Sequence, residues 1–299
     1  MTPINSLVEA GIVSVKVPLG PLTTYKSGGP ARFYVEVQSQ TELIDLVRSG
    51  LEEDLPVLVL GRGSNIVVAD GGFAGLVIKL GAGFGNIEID DIEVTAGSAV
   101  SLPKLARASV EEGLTGLEFF VGIPGSVGGA VRQNAGCFGT EVKDRLTSAV
   151  VLDLQDGTVS TKATQALDLA YRQSNIKSTD IVLGASFLAT HGDVDNGQEE
   201  LRRITRWRRD HQPGGTFNAG SVFKNPPDVA AGALIDSLGL KGMSVGDVAV
   251  STKHANFFVA GTAATSADIR QLVRDVKDRV FELTGTILEP EIQFVGFEE

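Results

Sequence analysis

The sequence predicts an α+β protein of two or three domains, on three observations. A strand, a helix and a strand follow one another between Ala31 and Leu60. Five strand-like runs then crowd the region from Gly72 to Ser186, and a capped amphipathic helix follows Thr265. At 299 residues, with 42% apolar and 21% charged positions, the chain is long enough to bury more than one core.

The elements follow in order. A Gly28-Gly29-Pro30 turn leads into Ala31–Val37, whose aromatic and β-branched residues favour a strand. Ser39 and Glu42 have capping-box spacing, and Leu43, Ile44, Leu46, Val47 and Leu51 keep helical spacing up to Pro56. Pro56–Leu60 completes a β-α-β unit. Leu76–Leu80, Asn86–Ala96, Ala149–Leu154, Thr158–Lys162 and Asp180–Leu188 read as strands, interrupted by one helix from Ser101, with Pro103 in its first turn, to Gly113. A basic helix, Gln198–Asp210, sets Arg202, Arg203, Arg206, Arg208 and Arg209 against an apolar side of Leu201, Ile204 and Trp207. Charge runs of this kind are usually a solvated face, and the helix has the place of an interdomain connector. Thr265 or Ser266 caps the last helix, Ile269, Leu272, Val273, Val276, Val280 and Leu283 form its stripe, and Gly285 stops it. A closing strand is expected over Thr286–Val295. The regions so defined are 1–73, 74–197 and 198–299.

Composition excludes several classes of function. The 37 acidic and 26 basic residues give a net charge of -11, which argues against a broad footprint on nucleic acid or an anionic membrane but leaves room for a local basic pocket. The one cysteine, Cys137, rules out an internal disulfide or a multi-thiolate metal site, and three separated histidines argue against a histidine metal cluster. Met1–Val15 has no basic stretch followed by a long apolar run, so a cytoplasmic protein, without a membrane partner and monomeric, is expected.

Glycine accounts for 36 residues, well above the usual share of about 7%, and it gathers beside strands. Gly61-Arg62-Gly63-Ser64-Asn65 follows a strand directly, so its successive N–H groups can cradle a phosphate. It is not a Rossmann fingerprint, because a β-like Ile66–Ala69 run stands where a helix should open; an ordinary glycine turn is the alternative. A second cluster comprises Gly122, Ile123, Pro124, Gly125, Ser126, Val127, Gly128, Gly129 and Ala130, with Gln133-Asn134-Ala135-Gly136 close behind. Two such loops suit a cofactor held largely by main chain. Cys137 fits a small buried residue better than a redox thiol.

Tyr171-Arg172 offers a planar donor fork for a carboxylate or phosphate, or a surface ion pair. Ser221 sits in a glycine-flanked turn with Lys224 and Asn225 nearby, but Ala219 and Phe223 exclude a nucleophile elbow. In Leu288–Phe294, strand alternation would put Glu289 and Glu291 on one face, lining a pocket or blunting an exposed edge. His191 and His211 read as solvent or loop histidines, while His254 stays open.

Together Tyr25-Lys26-Ser27-Gly28-Gly29, Gly61–Asn65, Gly122–Gly136, Tyr171–Ser174, Ala219–Pro226 and Leu288–Glu291 resemble, in order and over nearly the whole chain, the UDP-N-acetylenolpyruvoylglucosamine reductases of bacterial peptidoglycan synthesis. The resemblance implies a vanillyl-alcohol-oxidase-type FAD-binding fold of two subdomains with a C-terminal α+β substrate domain. It implies non-covalent FAD, NADPH as hydride donor, and hydride passing from flavin N5 to the terminal enol carbon of UDP-N-acetylglucosamine enolpyruvate. Ser221 then matches the proton donor, and Arg172 and Glu291 match the groups that polarise the substrate carboxylate. A neutral Glu291 donates there and an ionised one repels, so a raised Glu291 pKa is expected. Tyr25, Gly61–Asn65 and Gly122–Ala130 match FAD contacts; Tyr171, Lys224, Asn225 and His254 match UDP-sugar contacts. Two departures stand out. Cys137-Phe138 replaces a small residue and tyrosine, and only Asn175–Thr179 separate the Tyr171-Arg172 motif from the next strand, as in the shorter subclass without a tyrosine-bearing loop.

Overall fold

The computed structural model describes residues 3–49 and 55–298, so Leu51 of the expected helical stripe lies outside the described residues. The chain gathers into two compact units: Met1–Val15, Phe33–Gly61 and Gly75–Trp207 form one, and Lys16–Arg32, Arg62–Ala74 and Arg208–Glu299 the other. These units are not consecutive, unlike the regions 1–73, 74–197 and 198–299. The physical reason is pairing: the strand Ile66–Val68 runs parallel to the strand Gln293–Val295, in register Gln293↔Ile66, which ties the early segment to the C-terminal region.

In the first unit the strand Phe73–Leu80 lies between Pro30–Val37 and Val57–Val59, and the last pairs with it in parallel. The β-α-β unit therefore has another strand inserted between its two arms. Its helix, Gln40–Arg48, starts at Ser39, whose Oγ accepts the Glu42 N–H at 3.2 Å. The capping box stays half formed: the Glu42 carboxylate takes the Gln38 N–H at 2.7 Å rather than that of Ser39.

A second sheet is antiparallel in the order Val159–Ala163, Leu146–Asp153, Asp180–Leu188, Glu93–Gly97 and Ile87–Asp90. The single strand expected over Asn86–Ala96 is in fact a hairpin, because Asp91 takes φ 53° and turns the chain between Ile87–Asp90 and Glu93–Gly97. The helix Leu102–Glu111 begins after Ser101 as expected and buries Leu102, Leu105, Ala106 and Val110. Two apolar cores result, one around Phe33, Leu43, Leu76 and Ile78, the other around Val94, Leu105, Phe120 and Phe187. Each fully buried leucine or phenylalanine there contributes about 1.5–3 kcal/mol.

The arginine-rich helix runs from Val194 to His211, and the chain changes unit within it, after Trp207. Leu201 and Ile204 are buried, while Arg202 and Arg203 pair at 3.0 and 2.6 Å with Glu199 and Glu200 on its exposed side, a solvated face.

The second unit is built on the helix Ser266–Thr284. Thr265 and Asp268 exchange side-chain hydrogen bonds with each other's N–H at 3.1 Å, and the Asp70 carboxylate accepts the Ser266 and Ala267 N–H groups at 2.9 Å. All of these satisfy donors that a helix start leaves orphaned. Gly285 ends the helix at φ 72°, and Ile269, Leu272, Val273, Val276 and Val280 are buried; Leu283, expected in the same stripe, is exposed, because it sits in the last turn, where the stripe has run past the core. Against the helix packs a small antiparallel sheet, Ser244–Val245, Val248–Val250 and Phe258–Ala260. The closing strand is confined to Gln293–Val295 rather than Thr286–Val295, since Pro290 lacks the N–H that a ladder needs. Among the described residues no helix is long and apolar enough to cross a membrane.

Candidate active site

In the second unit, Gly220 adopts φ +76°, and Ser221 follows it at the edge of an open pocket of about 310 Å³ that Asn225, Lys241, Lys253, His254 and Asn256 also line. The backbone after Ser221 is held on two sides. On one, Glu291 donates its N–H to the Val222 carbonyl at 2.7 Å and Lys224 donates to the Glu289 carbonyl at 2.9 Å. On the other, Val222 N–H donates to the Asn256 carbonyl at 2.8 Å. Glu291 is thereby a backbone neighbour of the Ser221 turn. Glu289 and Glu291 do not share an environment as strand alternation would have it: Glu289 is exposed and pairs with Lys224 at 2.6 Å, whereas Glu291 is half-buried.

Asn225 Oδ1 accepts the Ala231 N–H at 3.0 Å, pinning the start of the helix Ala231–Ser237. The His254 ring stands edge to face with Phe257, and a β-carbon at Gly232 would lie 3.0 Å from its Cε1. His254 Nδ1 accepts the Asn256 N–H at 3.2 Å, so the neutral ring carries its proton on Nε2. Burial pushes the His254 pKa down, with the Lys241 and His211 charges acting the same way. Lys241 pairs with Asp236 at 2.6 Å, and Lys253 Nζ donates to the Arg209 carbonyl at 2.5 Å. A chain of net charge -11 thus presents two lysines at this one pocket.

Tyr25 is buried at 1% exposure within the core of this unit. Its hydroxyl faces the Ala219 backbone without forming a hydrogen bond of good geometry, and burial pushes its pKa well up. In the same unit Gly63 adopts φ +61°, its carbonyl accepts the Thr24 N–H at 3.0 Å, and a β-carbon there would lie 2.5 Å from the Leu22 carbonyl oxygen. Asn65 Nδ2 donates to the Glu291 carbonyl. Arg62 and Ser64 complete this loop.

In the first unit the two glycine motifs meet. A β-carbon at Gly61 would stand 2.8 Å from Ser126 Oγ, so the strand end and this turn approach closely and a side chain at Gly61 would turn the serine hydroxyl away. After the turn at Ile123, Pro124 and Gly125, the helix Val127–Arg132 begins at Ser126; the Val127 and Ala130 side chains are buried in the core, and Gly128 closes on Ser98, where a β-carbon would lie 2.9 Å from Ser98 Cβ. Gly122 abuts Cys137 Sγ. What this segment exposes to a ligand is the main chain at Gly129, the Pro124 ring and part of Ile123, with the Ser126 side chain buried behind them.

Arg172 lies at φ 55° in a tight turn closed by the Ala170–Gln173 bridge. Its Nη2 donates to the Gly136 carbonyl at 3.1 Å, Nη1 lies 3.7 Å from Glu141 Oε1, and the guanidinium covers the Tyr171 ring at 4.8 Å. Sequence reasoning named Asn134 within the second glycine cluster but gave it no role; it is wholly buried, and its Nδ2 donates to Glu141 Oε2 at 3.0 Å and to the Ala170 carbonyl at 2.9 Å, holding the carboxylate beside Arg172 and the first residue of its turn. Asn256 was likewise given no role. Their signal was an asparagine inside a glycine-rich or apolar run, where an amide is costly unless paired.

Residues 31–162 match the family model described as an FAD binding domain, which with the reductase relatives that follow makes the protein a flavin-dependent oxidoreductase. Residues 212–295 match the model of the UDP-N-acetylenolpyruvoylglucosamine reductase C-terminal domain. The chain is 38% identical to the UDP-N-acetylenolpyruvoylglucosamine reductase of Azorhizobium caulinodans over 96% of its length and 92% of the relative's, and 38% identical to that of Anoxybacillus flavithermus over 98% of both. The crystal structure of UDP-N-acetylenolpyruvylglucosamine reductase from Thermus caldophilus superposes with a TM-score of 0.81 at 34% identity, covering 95% of this chain and 98% of that one. The chain belongs to the UDP-N-acetylenolpyruvoylglucosamine reductase family.

Proposed function

We propose that the protein reduces UDP-N-acetylenolpyruvoylglucosamine to UDP-N-acetylmuramate with NADPH, the step of peptidoglycan precursor synthesis that its family name describes. The observation that carries the reading is the Ser221 turn, tied through its backbone to Glu291 and set at a pocket with two lysines and a neutral histidine. The close approach of Gly61 and Ser126 supports FAD contacts made through main chain, for which the motifs Gly61–Asn65 and Gly122–Ala130 are the proposed segments. Bound there, FAD supplies the transfer of hydride from NADPH to the terminal enol carbon.

The chain's own groups do the rest. Ser221 Oγ gives a proton to the carbon adjacent to the one that receives hydride. By their match to the family motifs, Arg172 and Glu291 are assigned to the charge that builds on the substrate carboxylate, a task for a guanidinium fork and for a carboxyl group in its neutral, donating form. Lys224, Asn225 and the Nε2–H of His254 are the UDP-sugar contacts proposed in the second unit, Tyr171 is assigned to the sugar by its family motif alone, and Lys253 at the pocket offsets part of the diphosphate charge. Ser221→Ala tests the assignment. Flavin reduction by NADPH should persist, while reoxidation by the UDP-sugar should fall by about 10²–10⁴, the usual worth of a positioned proton donor.

A further inference from the structure

We propose that Asn256 is a positioning residue for the proton donor, its side-chain amide serving as a template that fixes the Phe223 backbone, two residues beyond Ser221, and with it the aim of Ser221. The inference rests on the reading of Ser221 as that donor.

Asn256 is 3% exposed and stands in the apolar run Ala255–Phe258. Its Oδ1 accepts the Phe223 N–H at 2.9 Å and its Nδ2 donates to the Phe223 carbonyl at 2.8 Å, while its own carbonyl accepts the Val222 N–H at 2.8 Å. One residue so provides, on two consecutive positions, the bonds that a neighbouring strand would give. The 289–291 segment binds the opposite side. Ser221 therefore stands between two held points: the Gly220 N–H donates to Asn218 Oδ1 at 3.0 Å before it, and the Val222–Phe223 backbone is clamped after it. Remove the amide, and a buried Phe223 peptide loses both partners, leaving Ser221 attached to a loosened segment. Misplacement of about 1 Å in such a group costs on the order of 10²-fold in rate.

The consequence is chemical. As the enol double bond is consumed, hydride from the reduced cofactor forms one C–H bond. The Ser221 O–H breaks to form the other, on the adjacent carbon, and the serine recovers its proton from water. That adjacent carbon becomes a stereocentre. A fixed serine protonates one face; a loosened one lets water compete at both.

The test uses the flavin-loaded protein and the variants Asn256→Asp, Asn256→Ala and Ser221→Ala, with turnover in D₂O and the product's α-carbon configuration read by NMR. For Asn256→Asp, which keeps an acceptor for Phe223 N–H, reoxidation by the UDP-sugar should slow by about 10–100-fold, reduction by NADPH should stay within about 2-fold, and the product should carry mixed configuration. In cofactor-free Asn256→Ala, exchange of the Phe223 amide, which loses its side-chain acceptor, should quicken by about 10-fold or more, with the helix Ser266–Thr284 unaffected. A single configuration at the wild-type rate, or an equal slowing of both half-reactions with configuration retained, overturns the role of Asn256. Normal reoxidation in Ser221→Ala instead overturns the serine's assignment, so the two failures are distinct. Should Asn256→Ala not fold, the half-reaction rates and the product configuration of the aspartate variant still decide.

Discussion

The Asn65 carboxamide donates to the Glu291 carbonyl oxygen across 3.1 Å, and the Gln293 N–H donates back to the Asn65 carbonyl at 2.9 Å. The last residue of a glycine loop assigned to the cofactor is thus stitched to the residue assigned to the substrate carboxylate. Asn65→Ala should cost about 1 kcal/mol of stability, the net worth of a part-buried hydrogen bond. It should also weaken flavin binding and slow reoxidation together, each by about 10-fold. Flavin titration and stopped-flow absorbance measure both; an effect on one alone would show that the stitch does not couple them.

Tyr25 gives a two-sided prediction. Its buried hydroxyl lacks a well-formed partner in the protein, so Tyr25→Phe should leave the unfolding free energy of the cofactor-free protein unchanged or raise it by up to about 1 kcal/mol, as read by denaturant titration. If the hydroxyl serves the cofactor, flavin affinity should fall by about 5–10-fold in the same variant. Loss of stability without loss of affinity would make Tyr25 a core residue only.

For Arg172 the expectation is loss of a fork rather than of charge. Arg172→Lys keeps the cation but cannot hold the Gly136 carbonyl and a substrate carboxylate in one plane. Reoxidation should fall by about 10²–10³, with reduction by NADPH much less affected. Equal losses in both half-reactions would indicate a damaged turn, as expected from a non-glycine residue at φ 55°.

His254 sets a pH dependence of stability. Burial lowers its folded-state pKa below the ordinary 6.5, so the unfolded chain binds the proton more tightly. Its contribution is fully present above the unfolded value and is lost as pH falls from there through the lowered folded value. Denaturation midpoints from pH 8 down to pH 5 should therefore decline more steeply in the wild type than in His254→Gln. Parallel curves would place the histidine in solvent.

Much of the fold was legible because signal and consequence were close in sequence. The cap at Thr265, the stripe and the stop at Gly285 lie within one helix, and Asp180–Leu188 forms a strand with the expected bounds. The hairpin at Asp91 was not legible, since one aspartate at positive φ splits what periodicity joins. Nor was the early end of the terminal strand's ladder, where Pro290 makes only an isolated bridge to Phe223. At the site, Arg172, Ser221 and Glu291 stood out by residue type within motifs. Asn134 and Asn256 did not, because what they do is defined by backbone 36 and 33 residues away, and nothing local announces such a partner.

The central claim is tested most directly by the anaerobic visible spectrum of the flavin-loaded protein, followed through addition of NADPH and then of UDP-N-acetylenolpyruvoylglucosamine. The flavin bands should bleach with NADPH and return only with the enolpyruvyl UDP-sugar, at the rate at which UDP-N-acetylmuramate forms. A flavin that bleaches and stays bleached in the presence of that sugar would contradict the proposed reaction.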